Sequence, residues 1–141
     1  MRQGFTLLEF LIVLAVLAIL GGVAAVSFNA YIQSSRLNQA AQEVAEALRS
    51  VGSRALTESR GYTITLTTGP GSRLEWVNSQ QTVGSLSVPH NVQIVSLNPA
   101  GSTIEYVGRG FPVRQYRIGL QLGSRPVREV VLLPTGKVVT P

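Results

Sequence analysis

Few residues in this sequence can carry chemistry, and the first is Glu9. It is a single carboxylate immediately ahead of Phe10 to Val26, a run of apolar or small residues with no charge. A carboxylate near a bilayer core costs on the order of 2.5 to 3.5 kcal/mol on insertion scales, so it persists where it has a partner or a task. The one His, His90, follows Val88-Pro89 in a loop. The chain has no Cys and, read residue by residue, no Asp. His90 therefore lacks the companions of a metal site and of a nucleophile–base pair, and reads as a solvent-facing loop residue. Gly108-Arg109-Gly110 lacks the Lys-Ser/Thr and the following helix of a phosphate loop and reads as a turn. Catalysis, cofactors and metals have no support, so the chain reads as a non-enzyme.

The remaining carriers are cations. Up to residue 108 the basic residues (Arg2, Arg36, Arg49, Arg54, Arg60, Arg73) balance the acidic ones (Glu9, Glu43, Glu46, Glu58, Glu75, Glu105). Beyond it Arg109, Arg114, Arg117, Arg125, Arg128 and Lys137 face Glu129 alone, so the whole net charge of +5 sits in the last quarter. Such asymmetry suits an anionic partner, nucleic acid or lipid, and equally suits ordinary solvent-facing charge on strands.

The elements that position these residues begin with the apolar run, which is at the short edge of a membrane span. A secretory signal with a cleavage site near Ala24-Ala25, a plain anchor, and a segment with its own task all fit its length. Glu9 disfavours the first two. The stretch Gly4-Phe5-Thr6-Leu7-Leu8-Glu9, after Met1-Arg2-Gln3 and before the apolar run, resembles the processing and assembly signal of type IV prepilins and of type II secretion pseudopilins. The resemblance implies a prepilin peptidase that cuts between Gly4 and Phe5 on the cytoplasmic side and methylates the new amino group of Phe5. It also implies that Glu9 meets the Phe5 ammonium of a neighbouring subunit and sets axial register, since pairing the two charges in hydrocarbon neutralises both. Where the family often has a proline, Val26 stands, and Gly21-Gly22 is the expected soft point.

Past Val26 the pattern becomes amphipathic. Leu37, Ala41, Val44, Leu48, Val51 and Ala55 recur at four- and three-residue spacing along one helical face, with charged and polar residues between them. A helix from Phe5 to Ser59, ended by Gly61, spans about 80 Å at ~1.5 Å per residue. The period then drops to two. Strands are expected at Tyr62 to Leu66, Leu74 to Val77, Asn91 to Leu97, Thr103 to Val107, Arg114 to Leu122, Arg128 to Leu133 and Lys137 to Thr140, with Gln80 to Ser87 a polar loop. The fold class is α+β: a long N-terminal helix, membrane half plus amphipathic half, packed on an antiparallel β-sheet head. The expected divisions are a leader at 1–4, a transmembrane and assembly helix at 5–30, an amphipathic helix of the head at 31–60 and a β-rich head at 61–141.

This order extends the resemblance along the chain. Ala40 to Glu58, Gly61 to Leu66 and Arg128 to Val139 are similar to the family of the H-type pseudopilin of type II secretion and the FimT-type minor pilins. The resemblance implies a structural subunit of a type IV pilus or pseudopilus, held in the inner membrane with its head in the periplasm and then assembled. Its implied partners are other pilins or pseudopilins, the peptidase, the inner-membrane assembly platform and the bilayer. The absence of Cys disfavours a major pilin, which usually has a C-terminal disulfide loop. An alternative is DNA capture for transformation: some FimT-type relatives use a C-terminal Gly-Arg-x-Arg element, matched here by Gly136, Lys137, Val138 and Val139. Only Lys137 keeps a charge, with Arg125 and Arg128 available for phosphate contacts and expected near it if the last two strands form a hairpin.

Overall fold

The structure is a computed structural model that describes residues 6–79 and 81–141, and the backbone alone at 24–26. The element order is α1 (Leu7–Glu58), β1 (Tyr62–Thr67), β2 (Arg73–Asn78), β3 (Gln81–Ser87), β4 (Gln93–Asn98), β5 (Thr103–Tyr106), β6 (Tyr116–Gln121), β7 (Arg128–Leu132) and β8 (Val138–Val139). The chain divides into two compact units, Met1–Ser34 and Ser35–Pro141.

The described part of the first unit is helical, and α1 runs unbroken through Gly21 and Gly22. Its apolar side chains are exposed, from Leu7 at 79% to Ile19 at 68%. Its length and composition suffice to cross a membrane, with a mean hydropathy of 2.7.

The second unit holds the core. The expected helical face is buried at every position, Leu37, Ala41, Val44, Leu48, Val51 and Ala55, and Ala40 and Ala45 widen it. Small residues within the stripe suit close approach of the helix to strands. The strands form two antiparallel sheets, ordered β3-β2-β1-β5 and β4-β6-β7-β8, where the strand pattern had suggested a single sheet. Tyr62, Ile64 and Leu74 face the core from the first sheet, and Ile94, Ile118, Leu120, Val130 and Leu132 from the second, in one cluster with α1. Each such side chain contributes about 1.5 to 3 kcal/mol by burial. Ser72, buried in the β1–β2 turn, links the sheets: its hydroxyl donates to the Gly69 carbonyl at 2.6 Å and accepts the Ile94 N–H at 2.8 Å.

Two local expectations are corrected. Gln81–Ser87, read as loop, is strand β3, paired with β2 from Arg73↔Ser87 to Asn78↔Gln81 with a bulge at Trp76/Val77. Gln80 lies outside the described residues. An edge strand is held by backbone bonds while its side chains face solvent, so its polar sequence protects the edge and hides the strand. Gly84, opposite Trp76, leaves room for the indole, which is half-buried there rather than deep in the core.

The helix, expected to run to Ser59 with Gly61 as its stop, ends at Glu58, and the stop is made by Ser59 instead of Gly61. Ser59 takes the left-handed conformation (φ 50°), its N–H donates to the Leu56 carbonyl at 3.3 Å, and the Arg60 N–H reaches the Ala55 carbonyl at 3.2 Å. This pair of bonds is the Schellman closure, made with Ser where Gly is usual. Gly108 packs against it: a Cβ there would lie 2.8 Å from the Ser59 carbonyl oxygen.

Candidate functional site

Gly4 and Phe5 lie outside the described residues. The next part of the N-terminal signal is described. Thr6 precedes α1, and its Oγ1 accepts the backbone N–H of Glu9 at 3.3 Å, while its carbonyl accepts the Phe10 N–H at 3.2 Å. Thr6 is thus the N-cap and Glu9 the third helical residue, the T-x-x-E pattern of a capping box. A carboxylate in the first turn also meets the positive end of the helix dipole. Glu9 is exposed. Sequence reasoning singled out Glu9 for its position in an apolar run and missed Thr6, although the spacing that marks the cap was legible.

The cationic candidates divide. Arg125 and Arg128 stand at the β6–β7 end of the second sheet: the Arg125 N–H donates to the Leu122 carbonyl at 3.1 Å, its own carbonyl accepts Gln121 Nε2 at 3.0 Å, and Arg128 pairs across from Leu120. Lys137 is at the other end. β7 and β8 do form a hairpin, with Leu132↔Val138 and a turn closed by the Leu133 N–H on the Lys137 carbonyl at 2.9 Å. That register puts Lys137 beside Leu133, five residues from Arg128, or about 17 Å at ~3.4 Å per residue. The expected proximity of Lys137 to Arg128 is therefore not found. Arg128 shares the inward alternation of Val130 and Leu132, is half-buried, and keeps its Nε buried without a partner among the described residues. Arg117 pairs with Glu129 at 3.8 Å and Arg114 lies over the Tyr116 ring at 5.7 Å, so part of the C-terminal charge is engaged locally.

His90 is exposed in a left-handed turn with Asn91 (φ 60° and 57°), and no group of three His, Cys, Asp or Glu gathers among the described residues. The Gly108-Arg109-Gly110 turn has a packing task. Gly110 (φ 79°) leaves no room for a side chain, since a Cβ would lie 2.8 Å from the Gly52 carbonyl oxygen of α1. Tyr106 is buried and donates its hydroxyl to the Leu48 carbonyl at 2.9 Å, fastening β5 to α1, and burial pushes its phenol well above the ordinary 10.0. The Tyr62 phenol is raised above 10.0 chiefly by its hydrogen bond to Glu58. Arg49 reaches the Val138 carbonyl at 3.2 Å and the Glu46 carboxylate at 3.3 Å, tying α1 to β8.

Comparison with known proteins places both ends of this description. The family described as the prokaryotic N-terminal methylation motif matches residues 1–25. The type IV minor pilin FimU of Pseudomonas aeruginosa is similar in structure, with a TM-score of 0.65 at 14% identity over 79% of this chain and 92% of that one. The minor pseudopilin EpsH of the type 2 secretion system of Vibrio cholerae follows at a TM-score of 0.57 and 12% identity, over 75% and 96%. No curated protein sequence matches the chain. With an apolar helix long enough to cross a membrane and two antiparallel sheets in a β-rich head, the chain matches the prokaryotic N-terminal methylation motif at residues 1–25 and has the fold of minor pilins and pseudopilins.

Proposed function

We propose that this chain is a minor pilin or pseudopilin, a structural subunit that enters a type IV pilus or a type II secretion pseudopilus through its N-terminal helix. The observation that carries the reading is the conjunction of the methylation motif at residues 1–25 with a FimU-like head. A prepilin peptidase cuts between Gly4 and Phe5 and methylates the Phe5 amine. The apolar part of α1 then holds the subunit in the inner membrane, with the head in the periplasm, until the assembly platform passes it into the filament. There Glu9 pairs with the Phe5 ammonium of a neighbouring subunit. The exposure of every described apolar side chain from Leu7 to Val23 supports a segment solvated by lipid or by sister helices. Intact mass of the native protein tests the reading: loss of Met1 to Gly4 plus one methyl group is expected, and a mature chain starting near Val26 overturns it.

Glu9 has two separable contributions. As the third residue of a capped helix it favours α1 by about 0.3 to 1 kcal/mol, and as a counter-ion it favours assembly. Glu9→Ala should leave membrane insertion intact while strongly reducing recovery in sheared filaments. Glu9→Gln keeps capping capacity and should show the same loss. Normal incorporation of Glu9→Gln would reduce Glu9 to a helix-start residue.

A second reading, DNA capture by the head, has in its favour the concentration of the net charge after residue 108. In this reading Arg125 and Arg128 contact phosphate at one end of the second sheet and Lys137 at the other, so a duplex would have to bridge both ends. Gel-shift titration at low and physiological salt tests it, since phosphate-dominated binding falls steeply with salt.

A further inference from the structure

Which turns lie at the end where α1 enters the second unit follows from strand register. β1 starts beside the last turn of α1, where the Tyr62 hydroxyl donates to Glu58, and leads away from it to the β1–β2 turn. Ser72 of that turn holds the Ile94 N–H on its hydroxyl and the Val88 N–H on its carbonyl, which brings the β3–β4 turn alongside. Ile94 pairs with Leu120, and Leu120 with Arg128, so the β6–β7 turn is there too. The opposite end of the second sheet is marked by Arg49 on the Val138 carbonyl and by Gly136 close to Gly110. Because the stripe on α1 is buried along its whole length, the end with the three turns is the one that covers its beginning, Leu37, Ala40 and Ala41.

The charge at this entry end is one-sided. Residues 68–72, 88–92 and 122–127, which make the three turns, hold His90 and Arg125 and no carboxylate. Arg36, one residue ahead of the stripe, is exposed and makes no ion pair among the described residues. Arg128, at the start of β7, keeps its Nε buried without an acceptor among the described residues. The carboxylates on the adjoining strands are already held, Glu75 by Arg73 at 3.1 Å and Glu129 by Arg117 at 3.8 Å. On α1 the next carboxylate, Glu43, comes seven residues after Arg36, about 10 Å at ~1.5 Å per residue.

The segment that leads into this end is the apolar part of α1. From Val26, the last residue of the uncharged run, to Arg36 is ten residues, so the tether is about 15 Å of helix. Headgroups fill about 5 to 8 Å beyond the hydrocarbon. An Arg on a helix leans toward the N-terminus and carries its guanidinium on a long stem, which shortens the gap further. Tyr31, 71% exposed on the tether, is an amphipathic aromatic of the kind that settles at headgroup level. Cations without carboxylates, held this close to a bilayer, match phosphate-bearing headgroups.

We propose that the entry end of the head, through Arg36, Arg125 and Arg128, docks on anionic phospholipid headgroups while the subunit is held in the membrane. The head then has two positions, docked on the bilayer and free of it. Each Arg at the contact favours the docked one about fivefold, the worth of one basic residue near an anionic surface. The proposal rests on the membrane-held subunit reading and deepens it, adding a lipid-selective contact of the head to the apolar anchor.

The chain has no Cys, so a thiol introduced at Ser124, exposed in the β6–β7 turn, labels the entry end alone. The full chain with Ser124→Cys is purified from membranes of the native host and given a donor dye. It is then placed in nanodiscs of phosphatidylcholine, alone or mixed with phosphatidylglycerol, that carry an acceptor dye on a trace of headgroup-labelled lipid. Energy transfer should rise with phosphatidylglycerol and fall back in high salt, which screens exposed charges. Arg36→Gln should lower the docked-to-free ratio about fivefold, and adding Arg125→Gln should bring transfer near the phosphatidylcholine value. Lys137→Gln removes the same charge at the other end of β7 and should leave transfer unchanged. Arg36 and Lys137 are exposed, so both variants keep the fold. Equal transfer in the two lipids, or an equal drop with Lys137→Gln and Arg36→Gln, would overturn the proposal. Binding of duplex DNA at Arg125 and Arg128, with transfer indifferent to phosphatidylglycerol, would overturn it in favour of nucleic acid. Intact mass of the same preparation separates the two failures. A chain cut after Gly4 that enters nanodiscs without lipid preference overturns the docking alone, and a chain cut near Val26 overturns the membrane-held reading with it.

Discussion

The two parts of α1 use the same residue types to opposite ends. From Leu7 to Val23 the apolar side chains are exposed on every side of the helix, whereas between Leu37 and Ala55 they form one stripe and are buried. Leu14 is 45% exposed and Leu48 fully buried. The difference teaches that apolar content alone does not build a core: a helix apolar all round needs solvation by lipid or by other chains, while a striped one brings its own polar surface and needs a sheet. One element can therefore build a core at one end and present an all-round apolar surface at the other.

The strongest way to break this contrast is to truncate one leucine in each part. Leu48→Ala should destabilise the second unit by about 2 to 5 kcal/mol, because the site is enclosed by two sheets and relaxes only partly. Leu14→Ala should leave that unit's unfolding midpoint unchanged and act, if at all, on membrane partition or filament yield. Denaturant titration in mild detergent, followed by Trp76 fluorescence, reads both. Equal losses would mean that the two parts of α1 share one cooperative core.

A smaller effect sharpens the fastening of the striped part to β5. The Tyr106 phenol is raised above its unfolded value of 10.0 by burial. A raised folded value means that its contribution is fully present below pH 10 and is lost as pH climbs above 10 toward the folded value, by about 1.4 kcal/mol per pH unit in that window. Tyr106→Phe should cost about 1 kcal/mol at neutral pH through the lost bond to Leu48. It should also flatten the decline above pH 10, measured as unfolding midpoint against pH. An equally steep decline in the variant would assign alkaline sensitivity to other groups.

The smallest effect concerns where the striped part ends. Ser59 holds a left-handed conformation that Gly adopts without strain, so Ser59→Gly should stabilise the second unit by about 1 kcal/mol, seen as a higher thermal midpoint. A drop instead would show that the Ser59 side chain adds something its backbone does not.

How much of this was legible beforehand depends on how local the cause is. The buried face of α1 could be listed residue by residue, because a 3.6-residue period is imposed by backbone geometry whatever lies opposite. The T-x-x-E start is legible in the same way, since a cap is set by two residues three apart. β1, β2, β5, β6 and β7 announced themselves by alternation, since one side of each is buried. β3 did not: as an edge strand held by backbone bonds to β2, it carries a polar sequence. Ser59 rather than Gly61 ends the helix because the stop depends on two carbonyls finding donors and on Gly108 packing against the turn.

By itself, then, the sequence determined the helix, its two characters, most strands and the N-terminal methylation motif, all of which follow from neighbours along the chain. The tertiary structure alone decided that the eight strands among the described residues divide into two sheets stitched by Ser72, because strand pairing is chosen among distant segments competing for one core. It alone separated Lys137 from Arg128, because a register of Leu132 on Val138 carries Lys137 to the far end of β7. It alone gave α1 an acid-rimmed and an arginine-rimmed flank, since Trp76, Leu86, Arg109 and Phe111 reach the helix only after both sheets have closed on its buried stripe.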